Sequence, residues 1–319
     1  MKALRVKAGR IAVEDIARPT VDSEALVRVL KSGICNTDLE IARGYASFEG
    51  TIGHEFVGVV EQAGNQNSLI GTRVVGEINA GCGRCESCRA GDPRHCPDRT
   101  VLGIHGRDGA HAEFLRLPTS NLIEVPDTIS DSAAVFVEPL AAACGILEHV
   151  RIMRNTRVAV IGDGKLGLLC SRSLSRHTDT LIVVGKHQSK LDLAEKYGNV
   201  TGVMLTESHD LMRSFDVVIE ASGSESGFAT ALDLVRPRGK VVLKSTFHGT
   251  PTWNATKVVV DEITIVGSRC GRFSPALELL ATGAVQVEDL VSYEYSLVDG
   301  VAATERAAEN GVLKVLLKM

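Results

Sequence analysis

The sequence lacks any Lys/Arg-rich run interleaved with aromatics; aromatic residues make up only 4% of it, and its net charge is −4. A nucleic-acid backbone demands a cationic face, so nucleic acid is disfavoured as a partner. No long apolar run is present either. The most apolar stretch, around Ala133 to Leu147, is broken by Glu138 and Pro139 and is too short to span a bilayer. Met1 to Asp15 alternates apolar and charged residues as a first strand does, and lacks the apolar centre of a signal peptide. These absences lead us to expect a soluble, cytoplasmic protein without a membrane partner. No internal repeat or low-complexity linker interrupts the chain.

What is present suits two ordinary domains. The chain has 319 residues, 44% of them hydrophobic, enough for two separate cores. Eight cysteines without a secretion signal point to metal or thiol chemistry rather than a disulfide framework. Four of them, Cys82, Cys85, Cys88 and Cys96, fall within fifteen residues, while Cys35, Cys144, Cys170 and Cys270 stand apart.

The texture changes near residue 140. Before it, short strand-like runs (Ala25 to Leu30, Phe56 to Gln62, Thr72 to Val75) are separated by Gly, Pro and Asp, which suggests a twisted, mostly antiparallel, barrel-like domain. After it, a helical stretch from Ala141 to Val150 leads into Arg157 to Ile161, a run typical of a buried parallel strand. Strand-like runs at Leu181–Val184, Val217–Glu220, Lys240–Lys244 and Ile263–Val266 then alternate with helical segments. That alternation is the signature of a doubly wound sheet, so the expected fold class is α/β.

Cys82, Cys85, Cys88 and Cys96 form a C-x2-C-x2-C-x7-C pattern. Four thiolates satisfy tetrahedral zinc and leave no open position, so such a site is structural. A second set of donors is looser: Cys35, Asp38, His54 and Glu55 lie within about twenty residues. Glu138 is a further acid in an apolar stretch, where charges rarely sit unless paired or bound to metal.

Taken in order, C-x-T-D, G-H-E-x2-G, the four-cysteine knuckle, E-P and G-x-G-x2-G resemble the zinc-containing medium-chain dehydrogenase/reductase family along essentially the whole chain. The resemblance implies a GroES-like β-rich catalytic domain over residues 1–140 and a Rossmann domain over 141–271. It also implies that residues 272–319 return to the catalytic domain, that the active site lies between the domains, and that the protein is a homodimer or homotetramer. Carried onto this sequence, Cys35, His54 and Glu138 would hold a catalytic zinc. In the polyol branch, Glu55 is a direct ligand and Glu138 more distant, so both acids remain candidates. Asp38 would fix the tautomer of His54. Thr37 would hydrogen-bond the substrate oxygen and hand on its proton. Many relatives carry a histidine three residues beyond that Thr; here Glu40 stands there and is the candidate for the relay.

Gly162-Asp163-Gly164-Lys165-Leu166-Gly167 is G-x-G-x2-G directly after a strand and opening a helix, where a dinucleotide pyrophosphate binds. The end of the next strand selects the cofactor. An NAD enzyme places Asp or Glu there for the adenosine ribose, whereas here Gly185-Lys186-His187 follows Val184, with Lys190 one turn on. With no carboxylate at that point to repel a 2′-phosphate, NADP is the expected cofactor and NAD the alternative. Ser222, Gly223, Ser245 and Thr246 end successive strands and resemble the family's ribose and nicotinamide contacts. Lys314 is read either as a pyrophosphate contact or as a surface lysine. Tyr45, Phe48, His105 and His111 are candidates for the substrate pocket.

The expected substrate is a small alcohol, polyol or matching carbonyl compound. Two other readings are open: a zinc-free enone or quinone reductase of the same superfamily, and a non-enzymatic zinc-binding interaction module. Cys35, His54 and Glu138 argue against the first, and the intact dinucleotide motif against the second.

Overall fold

Arg157–Ile161 is an unbroken apolar strand with sheet neighbours on both sides, as a run buried on both faces must be. In the computed structural model it is central to a six-stranded parallel sheet. The sheet runs in the order Val200–Met204, Thr180–Gly185, Arg157–Ile161, Phe215–Glu220, Val235–Leu243, Thr264–Gly267. Read in chain order this is 3-2-1-4-5-6, the Rossmann arrangement, whose direction reverses beside the first strand. Helices Lys165–Leu174, Gln188–Glu195 and Glu225–Leu234 connect the strands. Ala159, Ile161, Val184, Phe215, Val218, Phe228 and Val241 share one buried cluster on this sheet. The structure describes residues 1–21, 23–64, 66–246 and 253–319.

The chain divides into two compact units, Met1–Glu138 with Ala276–Met319, and Pro139–Pro275. The sequence reading set these limits at 140 and 271. The carboxyl-terminal segment joins the first unit through sheet pairing. Lys314–Lys318 runs antiparallel to Ala25–Gly33 and parallel to Val291–Ser296.

That sheet of the first unit continues from Ala25–Gly33 through Glu55–Ala63 and Arg73–Gly76 to Leu122–Glu124, with Phe114–Leu117 also pairing to Ala25–Gly33. Its inward residues, among them Val27, Val29, Phe56, Val60, Val74, Leu115 and Leu117, form one buried cluster. The pairing aligns Gly33 with Glu55 and with Leu316. Three distant stretches of sequence therefore meet at one end of the sheet, and the polar residues discussed below lie there.

Candidate active site

The strand Ala25–Gly33 ends at Ile34, and Cys35 then takes the N-cap position of the short helix Asn36–Ala42. Asp38, at the third position of that helix, turns back to accept the Cys35 N–H at 2.7 Å. Its other oxygen accepts the Gly53 N–H at 3.1 Å, tying down the turn that carries His54 and Glu55. This brings the Cys35 sulfur, a His54 ring nitrogen and a Glu55 carboxylate oxygen within 4.8 Å of one another.

One thiol, one imidazole and one carboxylate at such spacing suit an open zinc site, in which three protein donors leave one tetrahedral position for another ligand. His54 Nδ1 faces Asp38 at 3.5 Å, which leaves Nε2 for a metal. Burial disfavours the Asp38 charge, yet His54 and His111 hold its carboxyl well below the usual range. Burial also opposes charge on His54, but Asp38 and then Cys35 outweigh it and hold the imidazole well above its usual range. A metal must displace that proton, so uptake releases a proton and strengthens with rising pH.

The structure separates the two acids. Glu55 belongs to the tight cluster with Cys35 and His54; Glu138 does not. Burial pushes the Glu138 carboxyl up to about 7; His54 and Lys314 oppose the rise, and Glu55 and Glu77 add to it. Lys314 answers to neither expectation for it. It is wholly buried, and its Nζ donates to Glu55 Oε2. A Cβ at position 33 would lie 2.5 Å from that same oxygen, so the absence of a side chain at Gly33 makes room for the ion pair.

Thr37 is half-buried, with Oγ1 3.7 Å from the Cys35 sulfur. Glu40 is bound to Arg43 at 2.7 Å, so its carboxylate is committed to an ion pair on the same helix. His111 is not a pocket residue. It is fully buried, its Nδ1 2.8 Å from Ser32 Oγ and its Nε2 3.4 Å from Asp38 Oδ2. Tyr45 is exposed, while Phe48 and His105 line a surface concavity together with Arg18, Arg107 and Arg116.

The four sulfurs of Cys82, Cys85, Cys88 and Cys96 also converge within 4.8 Å. Backbone N–H groups serve them: Cys88 N–H donates to Cys85 at 3.5 Å and Cys82 N–H to Cys96 at 3.3 Å. The N–H groups of Arg84 and Cys85 lower the Cys82 thiol to about 6, whereas burial raises the Cys88 thiol to about 11, so the thiolate a metal requires is favoured at Cys82 and not at Cys88. Two closed turns and four sulfurs fit structural zinc.

In the second unit, Gly162 has φ +115°, and a Cβ there would meet Ala221 O at 2.8 Å. A Cβ on Gly167 would come within 2.0 Å of Gly162 O, so the helix Lys165–Leu174 packs too closely for a side chain. Gly164 faces open space, as close approach of a phosphate requires. Lys165 and Leu166 are half-buried in the first turn of the helix.

The expectation that no carboxylate stands at the end of the second strand needs correction. The Asp163 side chain sits directly behind Gly185, where a Cβ would lie 2.6 Å from the Asp163 Cβ. Asp163 Oδ2 accepts the Lys186 N–H at 2.8 Å, the His187 N–H at 2.7 Å and His187 Nδ1 at 2.9 Å. The acid missing from the strand end is supplied by the glycine turn, and nothing in the linear order of the two segments announced it. Lys186 is exposed and Lys190 half-buried.

The serines are likewise engaged. Buried Glu220, which closes the strand before them, accepts the Ser222 hydroxyl at 2.5 Å on one oxygen and the Ser245 hydroxyl at 2.7 Å on the other. Ser245 Oγ also accepts the Gly223 N–H at 2.9 Å. Thr246 is exposed.

The chain matches two family models, an alcohol dehydrogenase GroES-like domain over residues 21–127 and a zinc-binding dehydrogenase over residues 174–282. It is 28% identical to a sorbitol dehydrogenase of Halalkalibacterium halodurans, covering 97% of this chain and 96% of the relative. It is 31% identical to an L-threonine 3-dehydrogenase of Deinococcus deserti, covering 84% and 83%. Among solved structures, a zinc-binding dehydrogenase of Sinorhizobium meliloti bound to NADP superposes with TM-score 0.91 at 28% identity, covering 100% and 99%. An alcohol dehydrogenase of Escherichia coli complexed with NADH superposes with TM-score 0.92 at 26% identity, with the same coverage.

Proposed function

The chain belongs to the zinc-containing medium-chain dehydrogenase/reductase family, and from that membership we propose that it is a zinc-dependent oxidoreductase of alcohols or polyols. It interconverts the alcohol with the matching aldehyde or ketone, using a nicotinamide dinucleotide, NADP in preference to NAD. The observation that carries this reading is the convergence of Cys35, His54 and Glu55 beside Thr37. Catalytic and structural zinc are each part of the proposal, as is assembly into a homodimer or homotetramer.

Zinc, when bound, supplies a Lewis acid that polarises the substrate's carbon–oxygen bond. The remaining work falls to the chain. Thr37 accepts the alcohol proton through its hydroxyl and passes it outward as the carbinol carbon gives up hydride to the nicotinamide. Asp38 keeps His54 in the tautomer that presents Nε2. Lys314 offsets the charge of Glu55, so a second acid near Cys35 costs less. Gly162 to Gly167, with the helix behind them, hold the pyrophosphate.

Lys186 and Lys190 support NADP by offering positive charge to a 2′-phosphate. The Asp163 carboxylate opposes it, but the Lys186 N–H, the His187 N–H and the His187 ring converge on its Oδ2. The polyol relatives and the acid at position 55 favour a polyol or sugar alcohol as substrate. A screen of alcohols, polyols, sugars and aldehydes with both cofactors tests the reading. Turnover with none of them, by protein carrying its full metal, would overturn it.

A further inference from the structure

Two imidazoles share the buried Asp38 carboxylate. His54 Nδ1 lies 3.5 Å from one oxygen and His111 Nε2 3.4 Å from the other. Both contacts are longer than ordinary hydrogen bonds, and apart from Asp38 the His111 Nε2 has no hydrogen-bond partner among the described residues. His111 comes from another part of the chain, where its N–H donates to Ile52 O at 2.9 Å and its carbonyl accepts from Leu4 at 2.8 Å. The ring lies against Gly53, since a Cβ at position 53 would come within 2.4 Å of His111 Nδ1. Ser32 Oγ, also fully buried, meets that nitrogen at 2.8 Å.

The network fixes the roles. An ionised carboxylate only accepts, so the proton of His111 belongs on Nε2, and Ser32 donates to Nδ1. Asp38 in turn holds the N–H of Cys35, the N–H of Gly53 and the ring of His54. Two candidate ligands and the turn before one of them therefore hang on a single side chain. Of the groups around that side chain among the described residues, only His111 lies outside the two ligand-bearing segments.

We propose that His111 is a positioning residue for the Cys35–His54–Glu55 metal site. Ser32 sets the ring of His111, and His111 pins the Asp38 carboxylate from the side away from His54. Asp38 then fixes the orientation and tautomer of His54. The inference rests on the zinc reading above. A group that touches the partner of a ligand acts on how firmly the metal is held. Partners that touch a ligand directly typically change affinity 10–100-fold, and His111, one contact further out, should act at the low end of that range, about tenfold.

The test uses full-length protein with both zincs, and compares wild type with His111→Phe, His111→Gln and Ser32→Ala. Release of zinc to a chromogenic chelator and the visible spectrum of the cobalt-substituted protein are read beside kcat and KM. His111→Phe should release one zinc about tenfold faster, with an altered cobalt spectrum and unchanged cofactor affinity. His111→Gln, which still offers an N–H to Asp38, should recover most of the loss. Ser32→Ala should move release in the same direction by less, and it stands in if His111→Phe does not fold. Wild-type release rates and cobalt spectrum in His111→Phe, or in Ser32→Ala where it stands in, would overturn the proposal. Wild-type protein holding only one zinc would instead overturn the metal reading on which it rests.

Discussion

Glu55→Gln should be among the most destabilising conservative changes in the chain. Lys314 is 0% exposed and Glu55 1%, and the Lys314 ammonium has no other hydrogen-bond partner among the described residues. Around it stand Gly33 and the ring of Phe136, whose centroid is 5.5 Å from Nζ. Glutamine keeps the shape but leaves a buried cation without its counter-charge, which typically costs about 3–5 kcal/mol. At about 2–4 °C per kcal/mol for a chain of this size, the melting temperature should fall by roughly 6–20 °C. Loss of a metal ligand adds to this. Lys314→Met should cost less, because a metal can still balance Glu55. The double variant Glu55→Gln/Lys314→Met should regain much of the loss, since no buried cation is left. Calorimetric melts of the four proteins in one buffer, with zinc content measured on each, complete the cycle. A fall below 2 °C for Glu55→Gln, or a double variant no better than the single, would refute the argument that the pair is closed to solvent.

Thr37→Val keeps the shape and removes the hydroxyl; turnover should drop about 10²–10⁴-fold with zinc content and cofactor binding intact, and an unchanged kcat where chemistry limits would remove Thr37 from the mechanism. Gly185→Asp alone should destabilise the turn, because its Cβ would collide with Asp163. Combined with Asp163→Gly it should move preference toward NAD, read as the ratio of kcat/KM values for the two cofactors, and a ratio equal to wild type would show that the loop does not select. Glu138, held at about 7 against a usual 4.5, keeps a proton that the unfolded chain gives up. Its contribution to stability is therefore present below pH 4.5 and lost as pH rises to about 7. In a Cys35→Ala background, Glu138→Gln should gain stability on its parent between pH 5 and pH 8; parallel melting curves would show that the carboxyl is solvated.

Much of the fold was legible in the sequence because its signals are local. Arg157–Ile161 followed by G-x-G-x2-G specifies strand, turn and helix within a dozen residues, and the structure adds the 3-2-1-4-5-6 order. The cysteine knuckle was legible for the same reason. The Asp163 carboxylate behind the cofactor loop was not legible because its contact is not local: Asp163 and Gly185 are 22 positions apart in sequence and adjacent only across two parallel strands. Lys314 and His111 failed alike. A lysine five residues from the end reads as a surface residue until its strand pairs beside Gly33 and places it on Glu55. A histidine in Gly-Ala-His-Ala reads as a pocket candidate until the backbone of Ile52 and Leu4 turns it inward to Asp38.

The chain carries two clusters of metal-ligating side chains, Cys82, Cys85, Cys88 and Cys96 in one and Cys35, His54 and Glu55 in the other. The direct measurement is zinc per chain, by elemental analysis, in wild type and Cys35→Ala, with Cys85→Ala as the counterpart for the knuckle. The account gives about two zincs in wild type and about one in a folded, inactive Cys35→Ala, while Cys85→Ala should lose the other zinc and stability with it. Equal zinc content in wild type and Cys35→Ala, or substantial dehydrogenase activity in Cys35→Ala, would contradict it.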